Sequence, residues 1–167
     1  MTNEQHAAEY QGLASLYRLY SNLMLRELTD EQIQVLADAD WSFEDDGSDE
    51  ARGYAWMQRY LRFRGNNARQ DLAVDYARIF LAAGVYEGET AVPYESVYLS
   101  EAKILMQEPR DEVVKVYGQC GFQVDPELKT PEDHAGYELE FCAMLCERIS
   151  QRLAGGEDAA ELIATLD

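Results

Sequence analysis

The chain has 167 residues, with 14 basic and 32 acidic side chains, a formal net charge of −18 and 47% apolar residues. The apolar content excludes a disordered acidic tail, and a chain of this length is expected to bury about two-thirds of its surface in a single domain over residues 1–167. The charge excludes binding to free nucleic acid and to anionic membranes, because both repel such a surface. The charge either attracts a cationic partner or serves solubility alone.

The sequence also predicts the compartment. No apolar run approaches the roughly 20 residues of a membrane span, and the first five residues lack the features of a secretory signal. An odd number of cysteines, Cys120, Cys142 and Cys146, favours a reducing environment and hence the cytoplasm. We expect these cysteines to be small buried residues rather than metal ligands, because no further ligand stands at zinc spacing. No metal or cofactor is predicted.

The N-terminal half predicts four helices. Thr2 and Thr29 precede the first two, Ser48 precedes the third, and Asn66 or Asn67 begins a fourth that ends at Gly84. Their apolar residues recur at helical steps, as in Leu13, Leu16, Tyr17, Tyr20, Leu23 and Met24, or in Leu72, Tyr76, Ile79 and Phe80. Residues 38–50 are predicted to form an acidic surface loop, which Trp41 and Phe43 pin to the body.

The C-terminal half continues the helical pattern after an irregular stretch over residues 84–95. We expect short helices over Ser96–Gln107 and Pro109–Gln119, and another over residues 157–166. Thr130 as N-cap and Pro131 at the first position predict a long helix. Its buried seam is Ala135, Leu139, Cys142, Cys146, Ile149 and Leu153. The fold class is therefore all-α, a bundle of about seven or eight helices.

Catalytic signatures are scarce. The sequence lacks glycine-rich phosphate-binding loops and the Gly-x-Ser-x-Gly elbow, and His6 lies at the N-terminus, so any histidine chemistry depends on His134. Asp133 can complete a capping box with Thr130, and His134 can pair with Glu138 at a helix boundary. Alternatively, Asp133 and His134 form the general acid–base pair of a hydrolase.

A proline-led turn over residues 91–99 presents two tyrosines beside a carboxylate. Tyr94 and Tyr98 offer rigid apolar faces with hydrogen-bonding tips, which suits a recognition surface. The alternative is a loop folded onto the core, in which Tyr98 packs and Tyr94 reaches outward. We place the candidate binding loop at about residues 84–98.

Three blocks in this order resemble the TorD/DmsD/NarJ-type chaperones that assist the maturation of molybdenum-containing redox enzymes. The blocks are Asp75-Tyr76-Ala77-Arg78-Ile79-Phe80-Leu81, then Pro93-Tyr94-Glu95-Ser96-Val97-Tyr98, then Pro131-Glu132-Asp133-His134 followed by Glu138-Leu139-Glu140-Phe141. The resemblance covers roughly residues 10 to 150. It implies a non-enzymatic helical protein without a cofactor, which holds its client in the cytoplasm until molybdopterin is inserted.

The resemblance also implies a partner and a site. The partner is the twin-arginine signal peptide of the catalytic subunit of a molybdopterin-containing oxidoreductase. The site residues carried over are Asp133, His134, Pro93, Tyr94, Ser96, Tyr98, Tyr76, Phe80 and Glu138. We expect alanine at Asp133 or His134 to weaken peptide binding more than it lowers the melting temperature.

Members of that family are longer than this chain. We therefore expect the last helices of the family to be lacking, and the exposed part of the Ala135-to-Leu153 helix to form a homodimer by domain exchange. Two other functions stay open. One is an acidic helical adaptor for some other basic or amphipathic segment, and the other is a hydrolase that uses Asp133 and His134.

Overall fold

The computed structural model describes residues 2–40, 46–86, 88 and 90–166. These residues contain eight helices and a single isolated β-bridge, so the all-α prediction is confirmed. The helices are α1 (Asn3–Leu25), α2 (Asp30–Asp38), α3 (Asp49–Phe63), α4 (Ala68–Phe80), α5 (Glu95–Leu99), α6 (Glu108–Gln119), α7 (Ala135–Ala154) and α8 (Ala160–Leu166). Trp41 and Phe43 lie outside the described residues, so their pinning of the acidic loop stays a prediction.

The chain divides into two compact units. Unit 1 comprises Met1–Arg26 and Val92–Asp167 and contains α1 and α5 to α8, whereas unit 2 is Glu27–Ala91 and contains α2 to α4. Each unit has its own buried apolar side chains, among them Leu145 in unit 1 and Ile33 in unit 2. A single domain over residues 1–167 stays a prediction.

The helix starts of the N-terminal half follow the sequence signals. Thr2 and Thr29 each form a complete capping box. The threonine side chain accepts a hydrogen bond from the backbone N–H of the third helical residue, a glutamine, whose side chain accepts one from the threonine N–H. Ser48 caps α3 through the N–H of Ala51. These predictions are confirmed because N-capping depends only on residues within one turn of each other.

In unit 2, α2 contacts both α3 and α4. Arg64, at the end of α3, donates to the side chain of Gln34 on α2 at 2.8 Å. The helix α4 ends at Phe80, before the predicted stop at Gly84. It ends there because Ala82 adopts a φ of +59° and the N–H of Gly84 donates to the carbonyl of Arg78 at 3.0 Å. This is a left-handed helix end built on alanine.

In unit 1, α1 and α7 pack through small residues. The buried residues of α1 are Ala7, Ala14 and Ser21, and α7 buries Gly136, Ala143 and Ser150, so both sets recur every seven residues. Ser150 donates its hydroxyl to the carbonyl of Ala7 at 2.8 Å. At the other end of the contact, a Cβ on Gly136 would lie 2.5 Å from Cγ of Leu25. The two helices therefore run antiparallel and close together.

The predicted apolar stripe of α1 is only partly right. Leu13 and Leu16 are exposed, at 41% and 37%, while the small residues between the large ones are buried. Two helices approach closely only where the side chains between them are small, so the large apolar side chains of α1 lie beside the contact and not within it. Periodicity alone does not show this choice.

The other side of α7 forms the apolar core of unit 1. Phe141 and Leu145 of α7 pack with Tyr117 of α6, and the rings of Tyr117 and Phe141 have centroids 4.8 Å apart. Phe122 contacts both rings. No residue from Ala135 to Ser150 is exposed. Gln151 and Arg152, near the end of the helix, are exposed and polar. The expectation that an exposed part of the Ala135-to-Leu153 helix forms a homodimer by domain exchange stays a prediction.

Two predicted helix bounds in unit 1 are wrong. The long helix α7 begins at Ala135 rather than after Thr130, because Asp133 and His134 make long-range contacts in place of helical ones. The helix predicted over Ser96–Gln107 stops at Leu99, and its remainder is an irregular loop. The predictions for α6 and α8 are close to the bounds observed.

Candidate functional site

The second and third blocks of the resemblance meet in unit 1. Tyr94 and His134 form an antiparallel β-bridge, in which the N–H of Ala135 donates to the carbonyl of Pro93 at 2.8 Å and the N–H of Glu95 donates to the carbonyl of Asp133 at 3.0 Å. Tyr94 is the N-cap residue of α5 and His134 is that of α7. The bridge therefore joins the starts of two helices.

The Asp133 carboxylate completes this junction. Its Oδ2 accepts from the backbone N–H of Ser96 at 2.9 Å and also from the Ser96 hydroxyl, and both residues are fully buried. Tyr94 offers no side-chain cap to α5, so a carboxylate distant in sequence satisfies a free N–H of its first turn. A carboxylate at a helix start is also favoured by the helix dipole.

Ser96 extends the network to a third helix. Its Oγ donates to Asp133 and accepts from the N–H of Gln107 at 3.4 Å, and Gln107 is the N-cap residue of α6. The starts of α5, α6 and α7 therefore converge on one buried aspartate. We call Tyr94, Ser96, Gln107, Asp133 and His134 the three-helix junction.

His134 has a structural role at this junction. Its Nδ1 accepts from the N–H of Gly136 at 3.0 Å, so that nitrogen carries no proton and the ring caps α7. Burial lowers the pKa of His134, although the neighbouring Asp133 opposes the effect, so the imidazole is neutral at pH 7. The ring meets Tyr94 edge to face, with centroids 5.0 Å apart and planes at 89°.

The geometry does not match an acid–base pair. Oδ2 of Asp133 accepts the hydrogen bonds of Ser96, and its Oδ1 has no hydrogen-bond partner among the described residues. The His134 ring accepts a hydrogen bond from the N–H of Gly136 and has no hydrogen bond to a carboxylate among the described contacts. The expected side-chain pairing of His134 with Glu138 is therefore absent from those contacts. Among the described residues, no group of three or more His, Cys, Asp or Glu side chains is placed to hold a metal ion.

Two further carboxylates lie beside the junction. Glu138 is half-buried, its Oε1 lacks a partner in the described parts of the chain, and burial together with Glu95 and Asp133 raises its pKa to about 7. Burial also raises the pKa of Glu95, and the negative charges of Asp133 and Glu112 raise it further. The junction is therefore flanked by carboxyl groups that a cation or a proton would stabilise.

The other predicted site residues are placed as follows. Pro93 is buried, Tyr94 is half-buried, and Tyr98 is 59% exposed. Tyr76 and Phe80 belong to unit 2, where their rings meet with centroids 5.3 Å apart. Their part in a shared pocket stays a prediction.

The sequence missed two features near the junction. Gln107 gives no motif signal, although it links α6 to Ser96. The sequence predicts helix over the segment between α5 and α6, which instead forms a loop that exposes apolar side chains beside a pocket of about 680 Å³. We call residues 98–112, which include this loop and the first part of α6, the α5–α6 surface. The apolar and acidic residues of this segment are equally compatible with a helix, so the sequence alone does not reveal the loop.

A comparison with protein families matches residues 44–167 to the family described as nitrate reductase delta subunit. A protein of Vibrio parahaemolyticus named Chaperone protein TorD is 36% identical over 86 residues, which cover 52% of this chain and 39% of that relative. Proteins of the same name from Photobacterium profundum and Aliivibrio fischeri are 26% and 25% identical over 84% and 92% of this chain, and 66% and 73% of those relatives.

The match with the Vibrio parahaemolyticus protein thus spans about two-fifths of that relative's length. No solved structure matches the chain significantly. Among the described residues, no helix combines the length and the apolar character that crossing a membrane requires.

Proposed function

This chain belongs to the nitrate reductase delta subunit family, and from that membership we propose that it is a cytoplasmic chaperone. It binds the twin-arginine signal peptide of a molybdenum-containing oxidoreductase subunit and holds that subunit for cofactor insertion before export. Its relatives named as TorD chaperones support this role, and so do three free thiols, which suit a reducing compartment.

The three-helix junction is the observation that carries the proposal. It unites residues that are about 40 positions apart in the sequence, and the side chains around it are aromatic and acidic. A twin-arginine peptide has a basic start followed by an apolar stretch of roughly 7–15 residues. Carboxylates bind guanidinium groups through paired hydrogen bonds, and tyrosine rings pack against apolar side chains.

Within this proposal, Asp133 acts on the peptide indirectly. It is 0% exposed and its oxygen Oδ2 is occupied by Ser96, so it holds α5 in place rather than meeting a ligand. Among the candidate residues of unit 1, Tyr94, Glu138 and Tyr98 have accessible surface. Contact of any of them with a peptide stays a prediction.

The affinity can be bounded. Burial of about five apolar side chains of a peptide contributes roughly 8–15 kcal/mol, and the ordering of a flexible segment removes several kcal/mol. The remaining free energy, roughly −7 to −9 kcal/mol, corresponds to a micromolar dissociation constant. Binding of that strength holds a client and still releases it.

The proposal is tested with synthetic peptides in a fluorescence anisotropy titration. Three labelled peptides are compared: one with two adjacent arginines before an apolar stretch, one with the arginines replaced by lysines, and a scramble of the same composition. We expect micromolar binding of the first peptide and at least tenfold weaker binding of the scramble. Equal binding of all three would instead indicate a general acidic adaptor, and no binding at 100-fold higher concentration would refute the proposal.

A further inference from the structure

An exposed apolar strip lies on the α5–α6 surface. Within nine residues of the chain, five large apolar side chains are between 42% and 67% exposed, namely Tyr98, Leu99, Ile104, Leu105 and Met106. Single exposed apolar residues are ordinary on protein surfaces, whereas such a concentration is typical of an interaction site. The strip belongs entirely to unit 1.

The fold holds this strip outward. Lys103 and Met106 take φ values of +52° and +60°, in the left-handed region that side chains other than glycine rarely adopt. The amide of Gln107 donates to the carbonyls of Leu105 and Met106 at 3.1 and 3.2 Å, and its own N–H reaches Ser96. Such a backbone persists only where neighbouring contacts fix it, so the loop is positioned by the three-helix junction.

A pocket beside the strip is acidic. Its volume is about 680 Å³, within the range of ligand sites, and it is lined by Leu99 together with Glu101, Glu108 and Glu112. All three glutamates are exposed. Arg110 lies between Glu108 and Glu112 in the sequence. Its guanidinium donates two hydrogen bonds of 2.8 and 2.7 Å to Glu132, so it does not neutralise the glutamates of the pocket.

We propose that the α5–α6 surface is where the signal peptide docks, with its paired arginines in the pocket of Glu101, Glu108 and Glu112 and its first apolar residues along Leu99 and Ile104. The inference rests on the proposed function and adds to it the surface and the order of contacts. Charge complementarity selects this occupant, because the pocket offers three carboxylates for two guanidinium groups and the strip offers apolar area directly beside them.

A chain of hydrogen bonds connects the buried Asp133 to this docking surface. Asp133 fixes Ser96, Ser96 accepts from Gln107, and Gln107 holds the carbonyls of the strip. Asp133 is thus a positioning residue for the docking surface.

The test uses the full chain and the same labelled twin-arginine peptide. The pocket variant carries E101Q, E108Q and E112Q. The control variant carries E127Q, E157Q and E161Q, which changes the net charge equally at other exposed positions. We expect at least tenfold weaker binding by the pocket variant, with loss of its preference for arginine over lysine, and less than a twofold change in the control.

The apolar half is tested with Leu99→Ser and Ile104→Ser in one variant. Both side chains are more than half exposed, so the fold is retained, and we expect five- to tenfold weaker binding. A peptide with a photoreactive residue next to its arginines should cross-link to residues 99–112. Cross-links confined to other segments would overturn the inference.

The two proposals fail in different ways. If the unmodified chain binds the peptide and the pocket and control variants match it, the docking surface is wrong and the proposed function stands. If the unmodified chain does not bind, the proposed function fails and the inference fails with it. If the serine variant turns a dimer into a monomer in sedimentation and leaves peptide binding unchanged, a second copy covers the strip and the inference is overturned.

Discussion

Replacement of Glu138 by glutamine should stabilise the protein at neutral and alkaline pH. In the folded state the pKa of this carboxyl rises from 4.5 to about 7, because of burial first and then the charges of Glu95 and Asp133. The folded chain therefore holds a proton between these two pH values that the unfolded chain has lost. The free energy of unfolding falls as the pH rises from about 4.5 to 7, and it then levels off.

The size of the effect follows from the same values. A pKa of about 7 in place of 4.5 corresponds to about 3.4 kcal/mol at 1.36 kcal/mol for each pKa unit. Since Glu138 is only half-buried, solvent screens part of this cost, and we expect about 1.5 kcal/mol. For a chain of this size the melting temperature should rise by about 3–6 °C at pH 8, with little change at pH 4.5.

Calorimetric or circular dichroism melts of both proteins between pH 4.5 and 8 measure this difference. Glu140→Gln is the matched control, because two residues along a helix turn its side chain about 200° away from Glu138. Tyr117 of α6 and Cys142 of α7 also face Glu138, but their ordinary pKa values lie higher and burial raises them further. A pH-independent gain in Glu138→Gln, or an equal gain in the control, would refute the reasoning.

Three other predictions test the packing of unit 1. Asp133→Ala should lower the free energy of unfolding in urea by about 2–4 kcal/mol, because it leaves the two buried donors of Ser96 unpaired, and an unchanged midpoint would contradict this. The expectation that this substitution weakens peptide binding more than it lowers the melting temperature stays a prediction. Gly136→Ala should lower the free energy of unfolding by about 1–3 kcal/mol, because the new methyl group would clash with Leu25 of α1. A methyl group at Gly12 would meet nothing within 4 Å, so Gly12→Ala should raise the free energy of unfolding by up to about 1 kcal/mol. Equal effects of the two substitutions in thermal melts would rule out close packing of α1 against α7. Burial raises the pKa of Cys146 to about 11, so iodoacetamide at pH 8 should leave this thiol unmodified until the protein unfolds, as mass spectrometry would show.

Local chemistry explains which helix bounds could be predicted. Thr2, Thr29 and Ser48 cap their helices as the sequence indicates, because each cap uses bonds within one turn. Thr130 carries the same signal, yet α7 begins at Ala135. There the long-range bonds of Asp133 and His134 outweigh a local cap.

The candidate site was predicted only in part. The resemblance to the TorD/DmsD/NarJ-type chaperones is confirmed by the family match, and it selects the blocks around Tyr94 and Asp133. It does not indicate that Asp133 is buried against Ser96, or that Gln107 joins them. The roles of individual residues in peptide binding stay predictions.

The sequence by itself determined an acidic, all-helical chain, the capped helix starts of its N-terminal half, and its family, because these depend on composition, on contacts within a turn and on residue order. Only the tertiary structure decided that small residues of α1 and α7 form their contact, that three helix starts share one aspartate, and that residues 98–106 leave apolar side chains in solvent. Each of these depends on groups that are far apart in the chain, and most buried polar groups find their partners only where the fold brings them together.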